Sequence, residues 1–216
     1  MYEKVIRGLT GSGRIIGRNR SLSSVVFVPF MWINNEWHLV FQLRAAGIRQ
    51  GGEVSFPGGR HDPASDKSFE QTAVRETVEE MGISPDDICI DGYLGALVAP
   101  MGAVIDVYVG RIILDSIDSF KISKDEVEKV FTVPAMDFIV KGFEKYNIHI
   151  QVNPYRKTES GGREMIFPAK ELGLPERYHG SWGGMLHEVY IYRTEHGVIW
   201  GLTAEIIREM VDLAVE

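Results

Sequence analysis

The segment SFEQTAVRETVEEMG, Ser68 to Gly82, constrains this chain most, because it carries its own start and stop. Ser68 followed by Gln71 is a capping-box pattern, in which side chains answer backbone donors that a first helical turn leaves unpaired. Gly82 supplies a stop, and Pro85 lies shortly beyond it. Phe69, Ala73, Val74, Val78 and Met81 recur at helical spacing and predict a core-facing stripe. Glu76 is three residues from Glu79 and four from Glu80, so these carboxylates share a face, with Arg75 beside them. Like charges so placed destabilise an isolated helix by about 0.2–0.5 kcal/mol per pair, and something must offset that. A glutamate cluster taken alone is more often a solvated face than a site. The sharper reading is a hard divalent cation, because Mg²⁺ prefers carboxylate and phosphate oxygens. Arg75 is always charged, and its planar fork suits holding a carboxylate in place.

Around this helix the pattern is mixed α/β. Residues 22–33, LSSVVFVPFMWI, predict a buried strand, with Pro29 pointing to a bulge or an edge. Asn34-Asn35 is a turn signal, and residues 37–44 predict a second strand, so the two form a hairpin. A glycine-rich stretch follows over residues 45–62, with a short strand at Val54-Ser55-Phe56. Residues 93–98 and 103–114 predict further strands, 125–130 a short turn or helix, and 134–141 a helix. Residues 142–186 are rich in Gly and Pro and read as an irregular insertion with one strand at 148–152. A strand at 187–193 and an amphipathic helix at 202–215 close the chain. With no linker and no repeat, the expectation is a single domain over residues 1–216.

Composition narrows the function. The formal net charge is −7 and the pI about 5.4, which gives no electrostatic help in holding a nucleic-acid backbone. A polyanionic small substrate would need a bridging cation or local arginines. The single cysteine, Cys89, excludes an internal disulfide framework and a CxxC zinc pattern, and is compatible with a reducing cytoplasm. The basic N-terminus MYEKVIRGLTGSGRIIGRNRS lacks the apolar core of a signal peptide, and no apolar run is long enough to predict a spanning helix, so no membrane is expected.

Phe56-Pro57-Gly58-Gly59 followed by Arg75-Glu76-Thr77-Val78-Glu79-Glu80-Met81-Gly82-Ile83 resembles the Nudix hydrolase family. Its box runs Gly, five residues, Glu, seven residues, Arg-Glu, an aliphatic residue, any residue, Glu-Glu, any residue, Gly, an aliphatic residue. Gly59 matches the leading glycine. Thr77 stands where an aliphatic residue is usual, and two residues are inserted between Gly59 and Arg75. The family's first glutamate falls on Lys67, with Asp66 and Glu70 nearby.

The resemblance implies a Nudix-like α/β/α sandwich with a mixed sheet, a glutamate-rich catalytic helix and a C-terminal helix. It implies that Glu76, Glu79 and Glu80, with the Gly59 carbonyl, hold Mg²⁺ or Mn²⁺. Glu76 or Glu79 would be the general base, and Arg75 belongs to the same catalytic group. Glu126 is a candidate further metal ligand, with an exposed loop charge as the competing reading. A homodimer is common in the family and stays open here.

The run Gly52 to Pro63, Thr72-Ala73, Asp125-Glu126-Val127 leading to Pro134, and Ile199-Trp200-Gly201-Leu202-Thr203-Ala204 are similar to the coenzyme A diphosphatase branch. Arg44 matches an arginine of that branch, while Ala45 and Gln50 replace its serine and histidine. Arg44 and Arg60 are candidate phosphate contacts, and Arg49 a weaker one. The substrate expected from this resemblance is coenzyme A or an acyl derivative. Another nucleoside diphosphate derivative, such as ADP-ribose, a dinucleotide or an oxidised nucleotide, is the alternative. A non-catalytic ligand-sensing module is a third reading, against which all three glutamates speak.

Overall fold

The computed structural model describes residues 15–100 and 102–216. Residues 1–14, part of the stretch read above as unlike a signal peptide, lie outside them. The order is β1 (Leu22–Ile33), β2 (Glu36–Arg44), β3 (Val54–Ser55), β4 (Gly58–Arg60), α1 (Phe69–Met81), β5 (Ile88–Val98), β6 (Ala103–Ile112) and β7 (Val127–Pro134). Then come α2 (Ala135–Val140), β8 (Glu144–Val152), β9 (Tyr155–Lys157), β10 (Arg163–Met165), β11 (Trp182–Thr194), β12 (Gly197–Trp200) and α3 (Gly201–Val215).

The main sheet has seven strands in the order β3-β2-β1-β6-β5, with β4 also paired to β1 and β7 to β2. It is mixed, because β1 and β6 run parallel while the other pairs are antiparallel. Asn34 and Asn35 both take positive φ, 48° and 67°, as a two-residue hairpin turn between twisted strands requires. Alternation along β1 and β2 sorts the core into two layers. Val25, Phe27, Met31 and Val40 meet Ala73 and Met81 of α1 on one face. Val28, Leu39 and Phe41 meet Phe138 of α2 and Ala204, Ile206 and Ile207 of α3 on the other. The fold is therefore an α/β/α sandwich, with the glutamate helix the single α-helix among the described residues on its face of the sheet.

Pro29 sits at neither a bulge nor an edge. The parallel register of β1 with β6 runs through it without a shift. Phe27 N–H donates to Pro57 O at 3.0 Å, and two residues on the Pro29 nitrogen turns to the same side. There β4 has ended, at Val26, and β2 has not yet begun to pair, at Phe30. A central strand thus accommodates a residue that cannot donate.

Of the turn or helix expected at 125–130, Asp125 and Glu126 are in a turn, while residues 127–134 form a strand. Val127, Phe131 and Val133 alternate inward against β2, a pairing between segments some ninety residues apart that local propensity does not reveal. The stripe of α1 is also rotated from expectation: Thr72, Ala73, Thr77, Glu80 and Met81 are buried, while Val74 and Val78 are only half-buried. Thr77 replaces an aliphatic residue at no polar cost, since its hydroxyl donates to Ala73 O at 2.7 Å. The segment 142–186 is more regular than its composition suggests. Strand β8 begins at Glu144 and pairs with β11 from Trp182, and β9 pairs with β10. Backbone pairing there tolerates polar and glycine residues because most of these positions are exposed.

The end of α1 is fixed by Gly82, in the left-handed region at φ 64° and packed on the Lys121 carbonyl. Gly82→Ala is expected to lower the melting temperature. The left-handed conformation alone costs an L-residue about 1–2 kcal/mol, and the new methyl would overlap backbone that cannot swing away. An unchanged melt would show that this junction yields freely. Among the described residues no helix is long and apolar enough to cross a membrane.

Candidate active site

Strand β4 lays Gly58-Gly59 against β1, directly under α1. Each glycine answers a different glutamate. The Glu76 carboxylate lies where a Cβ on Gly59 would be, so a bare Cα is required there. Gly58 N–H donates to Glu80 Oε2 at 3.0 Å. Gly59→Ala is therefore expected to displace the Glu76 carboxylate while leaving the fold intact, because the overlap falls on the end of a side chain. Its check is a melt matching wild type together with lost turnover; full activity would show that the Glu76 position is unimportant.

Arg75 is the hub. Its Nε and one terminal nitrogen donate to the two oxygens of Asp66 at 2.8 and 3.0 Å. The other terminal nitrogen donates to Glu79 Oε2 at 2.9 Å. Glu76 Oε1 lies 2.9 Å from the guanidinium, and Arg60 O accepts at 3.3 Å. Asp66 also accepts from Thr72 Oγ1 at 2.9 Å and from Asp62 N–H at 3.2 Å. These partners, Arg75 first, hold its carboxyl well below the usual carboxylate range although it is buried. Asp66 thus carries the charge that the family box puts eight residues before the arginine. A turn closed by Asp66 N–H on Asp62 O, at 2.8 Å, brings the residue before Lys67 inward and leaves Lys67 exposed. An acidic residue one place from the expected position was the available signal. His61, beside it, shares a hydrogen bond with Thr72 Oγ1 at 2.8 Å and packs against Phe69.

The other glutamates are costly as they stand. Burial pushes the Glu76 carboxyl up, against the pull of Arg75, and Glu79 and Glu126 add repulsion. Glu126, exposed just ahead of β7, is thereby brought within electrostatic reach of Glu76. Burial pushes Glu80 to about 7, although Gly58 N–H, Gln42 and Arg44 favour its ionised form. Glu79 is exposed and tied to Arg75. Arg44 is half-buried on the Glu80 side, with Nε donating to Arg49 O at 3.3 Å. The Arg60 side chain is exposed, and its carbonyl is what joins the cluster.

Among the described residues no group of three acidic, histidine or cysteine side chains is already gathered to hold a metal. The donor chemistry nevertheless fits a hard dication. All the candidate donors are oxygens, and Glu76 and Glu80 are held in surroundings that penalise their negative charge. Arg75 is shared among Asp66, Glu76 and Glu79 and supplies only one positive charge. A separate cavity of about 620 Å³ lies on the opposite face, lined by Trp32, Trp37, Phe138 and Met210 among others, and contains none of these residues.

The family model for the NUDIX domain matches residues 25–145. The chain is 37% identical over 192 residues to the mitochondrial coenzyme A diphosphatase NUDT8 of Homo sapiens, covering 88% of this chain and 68% of that protein. It is 32% identical over 152 residues to the peroxisomal coenzyme A diphosphatase NUDT7 of Mus musculus, covering 70% of this chain and 59% of that one. The match thus spans less than two thirds of the mouse protein's length. Among solved structures, the NUDIX domain of Shewanella oneidensis NrtR complexed with ADP ribose aligns with a TM-score of 0.45 and 19% identity. That alignment covers 64% of this chain and 86% of the other.

Proposed function

The chain belongs to the NUDIX family of hydrolases, and on that premise we propose that it hydrolyses the diphosphate bond of coenzyme A or an acyl derivative with Mg²⁺ or Mn²⁺. The products would be 3′,5′-ADP and (acyl-)4′-phosphopantetheine. The observation that carries the chemistry is the pairing of Glu76 on the bare Cα of Gly59 with Glu80 on the Gly58 N–H. The substrate rests on the two relatives named as coenzyme A diphosphatases.

In this reading Glu76, Glu79, Glu80 and the Gly59 carbonyl would hold the cation, joined by Glu126 from the start of β7. When bound, it would neutralise the diphosphate and acidify a water molecule. Glu76 or Glu79 takes the proton from the attacking water. Arg75, gripped by Asp66, keeps both carboxylates on the working face of α1. Arg44 and Arg60 reach for phosphate oxygens, where charge-assisted hydrogen bonds are strongest. The lone cysteine fits a reducing compartment, and we place the protein in the cytoplasm on that ground alone.

The test is product analysis after incubating the protein with coenzyme A and Mg²⁺, beside ADP-ribose, a dinucleotide and an oxidised nucleotide. Release of 3′,5′-ADP from coenzyme A, abolished by chelation, is the expected result. Turnover of ADP-ribose with none of coenzyme A would move the substrate to another diphosphate within the same chemistry.

A further inference from the structure

Strand β2 buries a polar side chain that packing alone does not explain. Gln42 is fully buried on the face covered by α1, and neither its amide nitrogen nor its amide oxygen has a hydrogen-bond partner in the protein. Directly across the ladder on β3, Ser55 has a buried hydroxyl that is likewise unpartnered. Opposed residues on antiparallel strands share a face, so three unanswered polar atoms collect in one patch beneath the glutamate helix. Glu80, 5% exposed on the inner side of α1, borders that patch: Gly58 N–H donates to its Oε2 at 3.0 Å, and the Gln42 amide lies near its carboxylate without closing a hydrogen bond of normal geometry. An aliphatic pair at these two positions would pack without leaving buried donors and acceptors unsatisfied. Where such groups persist in a core, an unseen water or ion commonly completes them.

We infer that Gln42 and Ser55 are positioning residues, whose free donors and acceptors hold the Glu80 carboxylate and water around the divalent cation and so fix how Glu80 presents its charge. The inference rests on the metal reading of α1 and deepens it. The Gln42 amide can donate to the Glu80 oxygen that Gly58 leaves free and accept from water, while the Ser55 hydroxyl can do either. Neither residue touches the substrate. Their effect passes through the orientation of a ligand, as outer partners act at metal sites generally.

The experiment is a Mn²⁺ titration without substrate, followed by the electron paramagnetic resonance signal of free Mn²⁺, on wild type, Gln42→Met and Ser55→Ala, with a thermal melt of each. Gln42→Met is expected to melt at or above the wild-type temperature, because it removes unsatisfied polar atoms. It should bind Mn²⁺ about 10- to 100-fold more weakly, the range for lost outer partners. Ser55→Ala should shift binding in the same direction by less. A purely structural role predicts altered melts with unchanged Mn²⁺ affinity, and that result in both variants overturns the inference. If Gln42→Met does not fold, Ser55→Ala decides alone. A wild type that takes up no Mn²⁺ overturns the metal reading itself, and this inference with it, which separates the two failures.

Discussion

Glu80→Gln is expected to cut metal-dependent turnover by at least about 100-fold: if Glu80 is the direct ligand proposed above, its removal should cost no less than the upper range for outer partners. The same change is expected to make the metal-free protein more stable above neutral pH. Glu80 is buried, and its carboxyl is raised from the ordinary 4.5 to about 7. A raised carboxylate binds its proton more tightly in the folded state. Its stability is therefore complete below about pH 4.5 and is lost as the pH rises through 7. The gap amounts to about 3 kcal/mol. A neutral amide has nothing to lose across that range. Urea unfolding in chelator between pH 5 and 8 should show wild type weakening more steeply than the variant, which keeps only the raised Glu76, with Mg²⁺ restoring wild type more than the variant. Parallel profiles would mean that Glu80 is not strained by burial, and undiminished turnover would remove it from the metal site.

Asp66→Asn should have the second-largest effect. The substitution keeps the shape and removes the charge from a side chain that is 1% exposed and doubly bonded to Arg75. Breaking a buried ion pair by removing one partner costs about 3–5 kcal/mol, and the lower end applies because Arg75 keeps Glu76 and Glu79 and is 28% exposed. Turnover should fall too, because an unanchored guanidinium no longer holds those two carboxylates on one face. Adding Lys67→Glu, which puts an acid at the family's own position, should not rescue the variant, because Lys67 faces solvent. Recovery of stability and activity in the double variant would show that the loop re-registers and that the Asp66 position is not special.

Much of this protein is legible in one dimension. The cap at Ser68 is present, with its hydroxyl accepting from Gln71 N–H at 3.1 Å. The return half of the box is displaced by one residue, since the Gln71 side chain accepts from Lys67 N–H at 2.8 Å. The hairpin at Asn34-Asn35 and the closing helix α3 also stand where their patterns put them. Such features depend on neighbours within a few residues, which a sequence displays directly. Strand β7 and the first four residues of β8 were not legible, because their partners β2 and β11 are remote in sequence.

The candidate site divides along the same line. The chemical inventory is written in the chain order: three glutamates on one helical face, an arginine among them, and a Gly-Gly turn ahead of them. Helical spacing is rigid, so that inventory follows from 3.6 residues per turn. Which acid grips Arg75, which glycine answers which glutamate, and which carboxylates feel burial follow from three-dimensional packing. Loop register selected Asp66 over Lys67 and Glu70, and the crossing of α1 over β4 set Glu76 on Gly59. Strand pairing set the buried Gln42 opposite Ser55. The physical reason is that burial and proximity depend on distances in space, and a carboxylate's proton affinity follows its surroundings and not its place in the chain.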